Sequence, residues 1–328
     1  MRAEACPEVT PLTESTCRPP LNWVGGKSII LDTVSLVFPP RADRRVEHFC
    51  GGAGILFGTP PKPGVMEILN DYDCDVVNFF VCLRDRVFAL LEELKHLPLQ
   101  SEEEFIFLKK YLAGEVILPD FSLSELRIAR RCLTPEQYAE VAPILKGRAT
   151  LWDVRRAAAF YKVNRYCFNG TMDAFAVKPA RLHRFFPVLL AASQRLQDVV
   201  ITNRDFEASF RLNDKANTLH YFDPPYFLTE GMYKPQFTME DHHRLHDLTL
   251  EPRGYVVISY SDHEYIRSLY RNCYILAFER ANSMSQKSGA KFPELLITTY
   301  DPRPIIEANA QFSMFGDLPN GLQLVNIP

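Results

Sequence analysis

Short apolar runs recur along the chain at Arg45–Phe49, Val65–Leu69, Val199–Thr202, Thr218–Phe222, Tyr255–Tyr260, Cys273–Phe278 and Leu295–Tyr300, with amphipathic, helix-like stretches between many of them. No other feature restricts the fold as strongly. Strands that alternate with helices pair in parallel through crossover connections, so the pattern predicts an α/β sheet. The rhythm stops between Leu97 and Arg195, where charged, leucine-rich helical patterns take over at Glu102–Leu112, Leu123–Cys132 and Ala149–Cys167. The expected organisation is therefore an α/β core made of residues 21–96 and 196–304, interrupted by a helical insert at 97–195. Residues 1–20 are polar and proline-punctuated and read as a flexible tail, and the extension at 305–328 carries no clear periodicity. Glu279–Pro293, with Ser283, Ser285, Ser288 and Gly289, reads as a mobile polar loop that can cover a bound substrate.

At 328 residues and 47% hydrophobic content the chain can bury a substantial core, and its net charge of -3 argues against binding nucleic acid through bulk positive charge. Any such contact has to be local. The eight cysteines include no CxxC pair and no Cys/His cluster at zinc-ligand spacing, so we expect reduced thiols, a cytoplasmic location and no metal. No apolar run approaches the roughly 20 residues needed to span a bilayer, and no membrane role is expected.

Two turns carry the chemistry. In the first, Phe49-Cys50-Gly51-Gly52-Ala53-Gly54 follows an apolar strand and precedes a helical start, which lets backbone approach a ligand closely. Asn70-Asp71 stands at the end of the next strand, twenty residues after Gly51, where a carboxylate can accept hydrogen bonds from ribose hydroxyls. Together they indicate a nucleoside-bearing cofactor, although a tight turn followed by a helix cap would give the same local pattern. No Gly-Lys-Ser/Thr follows at P-loop spacing, which argues against nucleotide hydrolysis.

The second turn is Asp223-Pro224-Pro225-Tyr226, closing the apolar strand Thr218–Phe222. Its prolines fix φ and remove N–H donors, leaving a stiff platform of acceptors. An exocyclic amine on a purine is a poor nucleophile because its lone pair is delocalised. If the Asp223 carboxylate and the Pro224 carbonyl each accept one amine hydrogen, the nitrogen is oriented towards an incoming methyl group, and Tyr226 can stack on the base. Such a base must leave the duplex, at a cost of a few kcal/mol.

These residues resemble the Dam-like, D12 class family of DNA adenine methyltransferases over most of Leu21–Pro302. Leu21-Asn22-Trp23-Val24-Gly25-Gly26-Lys27 is similar to the family's amino-terminal cofactor motif, Phe49–Gly54 to its glycine motif and Glu67–Asp71 to its acidic strand. Asn164-Arg165-Tyr166-Cys167-Phe168-Asn169-Gly170 resembles its helix-and-loop segment, Asp223–Tyr226 its catalytic motif and Val257–Asp262 the strand that follows. The resemblance implies a Rossmann-like S-adenosylmethionine-dependent methyltransferase sheet with the helical insert serving for DNA recognition. It implies catalytic roles for Asp223, Pro224, Pro225 and Tyr226. It implies cofactor contacts from Trp23, Gly25, Gly26, Lys27, Phe49, Gly51, Gly52, Gly54, Asn70, Asp71, Asp205 and Phe206, the last two flanking the cofactor adenine. Asp205 also reads as a plain helix cap. Two departures bear on base specificity: Asn22 stands where the family often has a lysine, and Thr171–Phe175, with Asp173, stands where it often has an arginine.

Double-stranded DNA is the expected partner, and a companion restriction nuclease is compatible with the resemblance. Arg155, Arg156, Lys162, Arg165, Lys178, Arg181, His183 and Arg184 gather around the Asn164–Gly170 loop as a candidate phosphate-binding face, with Phe168 and Asn169 as candidates for contact at the flipped base and Gly170 beside them. Two rival readings stay open at this point. The same platform suits cytosine N4 or adenine in RNA, and a non-catalytic DNA- or partner-binding protein can keep the fold after losing its chemistry.

Overall fold

A computed structural model describes residues 17–23, 26–27, 30–96, 101–116, 121–151, 153–167, 172, 174–176, 182–227, 237–281, 291–309 and 318–328. Its centre is one eight-stranded sheet formed by β1 (Arg44–His48), β2 (Met66–Asp71), β3 (Val200–Asn203), β4 (Thr218–Phe222), β5 (Tyr255–Ser261), β6 (Tyr274–Ala281), β7 (Lys291–Thr298) and β8 (Gln323–Asn326). The order is β3-β2-β1-β4-β5-β7-β6-β8. The first five strands are parallel through four pairings, whereas β7 runs antiparallel between β5 and β6, and β8 closes the far edge antiparallel to β6. This is the expected Rossmann-like α/β sheet.

Parallel strands covered on both faces need apolar residues at every position. All five residues of β4 are buried. Alternate residues feed opposite sides, as the two-residue strand period requires. Phe222, Val256, Ile258, Tyr260, Leu295 and Ile297 join one core, with Phe206, Phe210 and Leu245 from the covering helices. Leu219, Tyr221, Val257, Leu276 and Leu296 join another, against Ile30, Val34 and Ile306.

The chain leaves β1 for β2 and β3, then returns to β4 on the other side of β1. The strand order therefore reverses between β1 and β4, and in open α/β sheets ligands settle in the crevice at the carboxyl ends of the strands there. His48 is in register with Phe222, which sets the glycine turn and the Asp-Pro-Pro-Tyr turn side by side at that crevice.

Several details differ from expectation. Glu279–Pro293 is not a loop throughout: Glu279, Arg280 and Ala281 pair with Pro293, Phe292 and Lys291 as an extension of the β6–β7 ladder, and the serines and Gly289 lie outside the described residues. Strand pairing satisfies these backbone groups where the polar side chains alone suggested open chain. The single helix read at Ala149–Cys167 is two, Pro135–Leu151 and Val154–Tyr166, because Asp153 turns extended and accepts from Arg156 N at 2.9 Å as a cap. The end of the chain carries a helix at Arg303–Asn309 and the edge strand β8. At the other end, Cys17 N donates to Phe57 O at 3.0 Å, which ties residue 17 to the core. The helix Val154–Tyr166 packs within the same core as Phe79, Phe80 and Leu83, with Tyr161 stacked on Phe79 at 5.5 Å. No helix among the described residues is long and apolar enough to cross a membrane, and no disulfide joins the described cysteines.

Candidate active site

The turn after β1 is folded by three positive φ angles within five residues, at Phe49 (53°), Gly51 (45°) and Ala53 (52°). Gly51 is required twice over: its backbone is left-handed, and a Cβ there would stand 2.3 Å from Trp23 Nε1. Trp23 also lies against Gly52, and Gly26 N donates to Trp23 O at 3.1 Å, so the amino-terminal motif folds over the glycine turn. Gly54 opens the helix Gly54–Gly58. Glu47, from inside β1, accepts from Ile55 N at 3.2 Å and Leu56 N at 2.9 Å and so caps that helix from beneath. Its burial pushes its pKa up to about 7, against the lowering pull of those two N–H groups.

At the end of β2, Asp71 accepts from Gly51 N through Oδ2 at 2.8 Å and from Asp73 N through Oδ1 at 2.9 Å. Cys50 and the Tyr72 backbone also hydrogen-bond this carboxylate, which holds it fixed beside the glycine turn. Asn70 instead looks inward, donating to Arg204 O at 3.0 Å and accepting from Thr202 Oγ1 at 2.8 Å, which ties β2 to the end of β3. Glu67 is paired with Arg195 at 2.6 Å and with Arg45. Asp205 caps the helix Phe206–Asn213 through Glu207 N and Ala208 N, and its Oδ1 also takes Arg244 at 2.9 Å. The helix-cap reading of Asp205 thus describes its protein contacts. Phe206, buried beneath Arg244, meets half-buried Phe49 at 5.3 Å and Phe237 at 5.7 Å, an aromatic wall beside the glycine turn.

Asp223 leaves β4 with its Oδ1 held by Lys27 Nζ at 2.6 Å and by Ser259 Oγ at 3.0 Å. Ser259 is itself bonded to Tyr221 OH at 3.0 Å. Burial raises the Asp223 pKa, and the adjacent Lys27 ammonium opposes the rise only in part. Lys27 is 5% exposed, and its Nζ also stands 4.9 Å from the centroid of the Tyr226 ring. Pro224 is buried and Pro225 half-buried, and Tyr226 OH donates to Glu294 Oε2 at 2.7 Å. Lys27 therefore joins the amino-terminal motif to the Asp-Pro-Pro-Tyr turn.

The amino-terminal motif is held from a third direction. Asn164, fully buried on the helix Val154–Tyr166, accepts from Asn22 N at 2.9 Å and donates to Asn22 O at 2.7 Å. Arg165 donates to Asn22 Oδ1 at 2.7 Å and stacks 3.6 Å over Phe185. Of the candidate phosphate face, Lys162 does not belong to it: the side chain is 1% exposed, and burial lowers its pKa to about 8. Arg156 is spent on Asp75 and Leu112 O, and Arg155 reaches Glu93 at 3.7 Å. Gly25, Phe168, Asn169, Gly170, Asp173, Lys178 and Arg181 lie outside the described residues. No metal-binding cluster of His, Cys, Asp or Glu occurs among the described residues.

Glu47, Ser259, Arg280 and Glu294 had no assigned role in the sequence reading. The signal was present in one of them, Glu294, a carboxylate that directly precedes the apolar run Leu295–Ile297. Buried carboxylates persist only with partners, so such positions point at a polar network.

Comparison with known proteins identifies the family. The family model of the D12 class N6 adenine-specific DNA methyltransferases matches residues 23–284. The Type II methyltransferase M1.LlaDCHI of Lactococcus lactis subsp. cremoris is 25% identical over 307 residues, covering 86% of this chain and 95% of that protein. A DNA adenine methylase of Haemophilus influenzae is 23% identical over 85% of this chain and 92% of its own. The Type II methyltransferase M.CviBI of Paramecium bursaria Chlorella virus NC1A is 22% identical over 86% and 97%. With its two motif turns at the switch point of the sheet and the family match running through both, the chain belongs to the D12 class N6 adenine-specific DNA methyltransferase family.

Proposed function

We propose that this adenine-specific DNA methyltransferase divides its reaction between the two turns at the β1–β4 crevice, with S-adenosylmethionine at the first and a flipped adenine at the second. The observation that carries the reading is the Asp223 carboxylate, fixed by Lys27 and Ser259 at the end of β4 directly beside the glycine turn. Bound cofactor supplies a methyl group on a sulfonium, which brings its own leaving group.

The residues on the cofactor side fit that ligand. Gly51, Gly52 and Gly54 keep the turn low, Asp71 stands fixed beside it to meet the ribose hydroxyls, and Phe49, Phe206 and Asp205 offer an apolar wall with a polar edge for the adenine. Trp23, Gly25, Gly26 and Lys27 close the site, and Asn70 holds the β2 end in place. On the substrate side, Asp223 accepts one amine hydrogen through Oδ2, and the Pro224 carbonyl accepts the other. Pro225 stiffens the turn and Tyr226 stacks on the base. Burial holds the Tyr226 hydroxyl well above its usual pKa, so it remains a donor to Glu294. The contribution is one of position and electrostatics.

In this reading residues 21–96 and 196–304 are the catalytic unit, and 97–195 include the recognition segment. DNA contact falls to Phe168, Asn169, Gly170, Lys178 and Arg181, with Arg165 at the root of that segment. Residues 1–20 and 305–328 flank the machinery. A DNA substrate and reduced cysteines support a cytoplasmic setting. The test is incubation with radiolabelled S-adenosylmethionine and separate pools of unmethylated DNA and RNA, followed by nucleoside analysis. N6-methyladenine from DNA alone is expected, and label in cytosine, in RNA or nowhere overturns the proposal.

A further inference from the structure

We infer that Glu294 is a positioning residue for the reaction, acting through the hydroxyl of Tyr226, and that Arg280 holds Glu294 in place for this task. The inference rests on the reading above that Tyr226 stacks on the target base. Tyr226 ends a turn, and the turn backbone alone does not fix the plane of its ring. The ring is fixed at its far end, where the hydroxyl donates to Glu294 Oε2 at 2.7 Å. Glu294 lies on β7, the antiparallel strand inserted beside β5, in register with Ser261 and with Phe278. Its other oxygen, Oε1, accepts from Arg280 Nε on β6, and the Arg280 guanidinium lies 4.7 Å over the Phe292 ring.

Glu294 is 1% exposed and is followed by Leu295, Leu296 and Ile297, all equally buried. Desolvating a carboxylate there costs several kcal/mol before its partners repay it, and an apolar residue of the same volume would serve packing as well or better. What an apolar residue cannot do is hold a phenol by a charge-assisted hydrogen bond. The Lys27 ammonium near the same ring belongs to this frame, because it fixes Asp223 and faces Tyr226 together. The antiparallel hairpin thus reaches the chemistry, which otherwise sits on the parallel strands.

The test is a double-mutant cycle on methyl transfer to unmethylated plasmid DNA from tritiated S-adenosylmethionine, with kcat and both KM values measured for Tyr226→Phe, Glu294→Gln and the pair. Tyr226→Phe keeps the ring and the Glu294–Arg280 pair, and thermal unfolding of each variant checks that the fold is retained. The expected result is a fall in kcat of roughly tenfold for each single variant, the size of one hydrogen bond to a charged group, with the cofactor KM unchanged and no further loss in the double variant. Full kcat in Tyr226→Phe, or losses that multiply in the double variant, overturns the inference. Tyr226→Ala separates the two levels. If it loses turnover while Tyr226→Phe does not, stacking stands and the role of Glu294 falls; if it keeps turnover, both fall.

Discussion

The turn after β1 and the turn after β4 leave neighbouring strands at the same end of the sheet, yet they are built from opposite chemistry. The first is rich in glycine, left-handed at three positions, and held by N–H groups donated to Asp71 and Glu47. The second replaces N–H groups with two prolines and gathers acceptors, a carboxylate held by Lys27 and Ser259. Backbone that must approach a bulky ligand closely needs glycine, whereas backbone that must present fixed acceptors to an amine is better served by proline. In the proposed function, one crevice can thereby meet two ligands of different chemistry without either turn compromising the other.

The sharpest way to break this division is Asp223→Ala. Removing one preorganised group that orients the reacting atom lowers transfer by roughly 10²–10³-fold or more, measured in single turnover with radiolabelled cofactor. The next effect concerns the strand ends beneath the two turns, where Glu47 and His220 titrate in opposite senses. Burial raises Glu47 from 4.5 to about 7, so in that window the folded chain keeps a proton the unfolded chain releases, and stability falls as pH rises. Burial lowers His220 from 6.5 to about 4, so between those values the unfolded chain takes a proton the fold refuses, and stability rises with pH. From pH 4.5 to 6.5 the two slopes oppose each other. His48, in contact with His220 at 3.2 Å, is lowered by burial in the same sense, so Glu47→Gln, which keeps an acceptor for the helix, uncovers the histidine slope: its Tm is expected to fall more steeply on acidification than that of the parent. An equal slope in both proteins contradicts this.

Gly51→Ala sharpens the comparison from the glycine side. A left-handed backbone and a Cβ 2.3 Å from the Trp23 indole together cost about 2 kcal/mol of stability and displace Trp23, readable as a lower denaturant midpoint. The smallest expected effect is Asn164→Ala, which strands the Asn22 backbone N–H and carbonyl and costs about 1 kcal/mol, with transfer reduced because Lys27 follows the same segment.

Much of this was legible in the sequence because it rests on local patterns. Thr218–Phe222 is a strand over the same residues in sequence and structure, since a strand buried on two faces reads as a largely apolar run, here with His220 at its centre. The two turns declare themselves through glycine and proline, whose backbone requirements are intrinsic. What was not legible depends on long-range pairing. Glu294 meets Tyr226 across 68 residues, and Asn164 meets Asn22 across 142, with nothing local to announce either partner. The strand character of Glu279–Ala281 was hidden for the same reason, its polar side chains masking a ladder that only the opposite strand completes. Lys162 misled because a charge on an amphipathic helix ordinarily faces water, and here the helix is enclosed on nearly every side.

The division of labour itself is tested most directly by titrating S-adenosylmethionine calorimetrically into the parent protein, Asp223→Ala and Gly51→Ala, with transfer to DNA measured on the same preparations. The account predicts that Asp223→Ala binds the cofactor as the parent does while transferring almost nothing, and that Gly51→Ala binds it more weakly. Loss of cofactor binding in Asp223→Ala equal to that in Gly51→Ala, or transfer by Asp223→Ala at the parent rate, would contradict it.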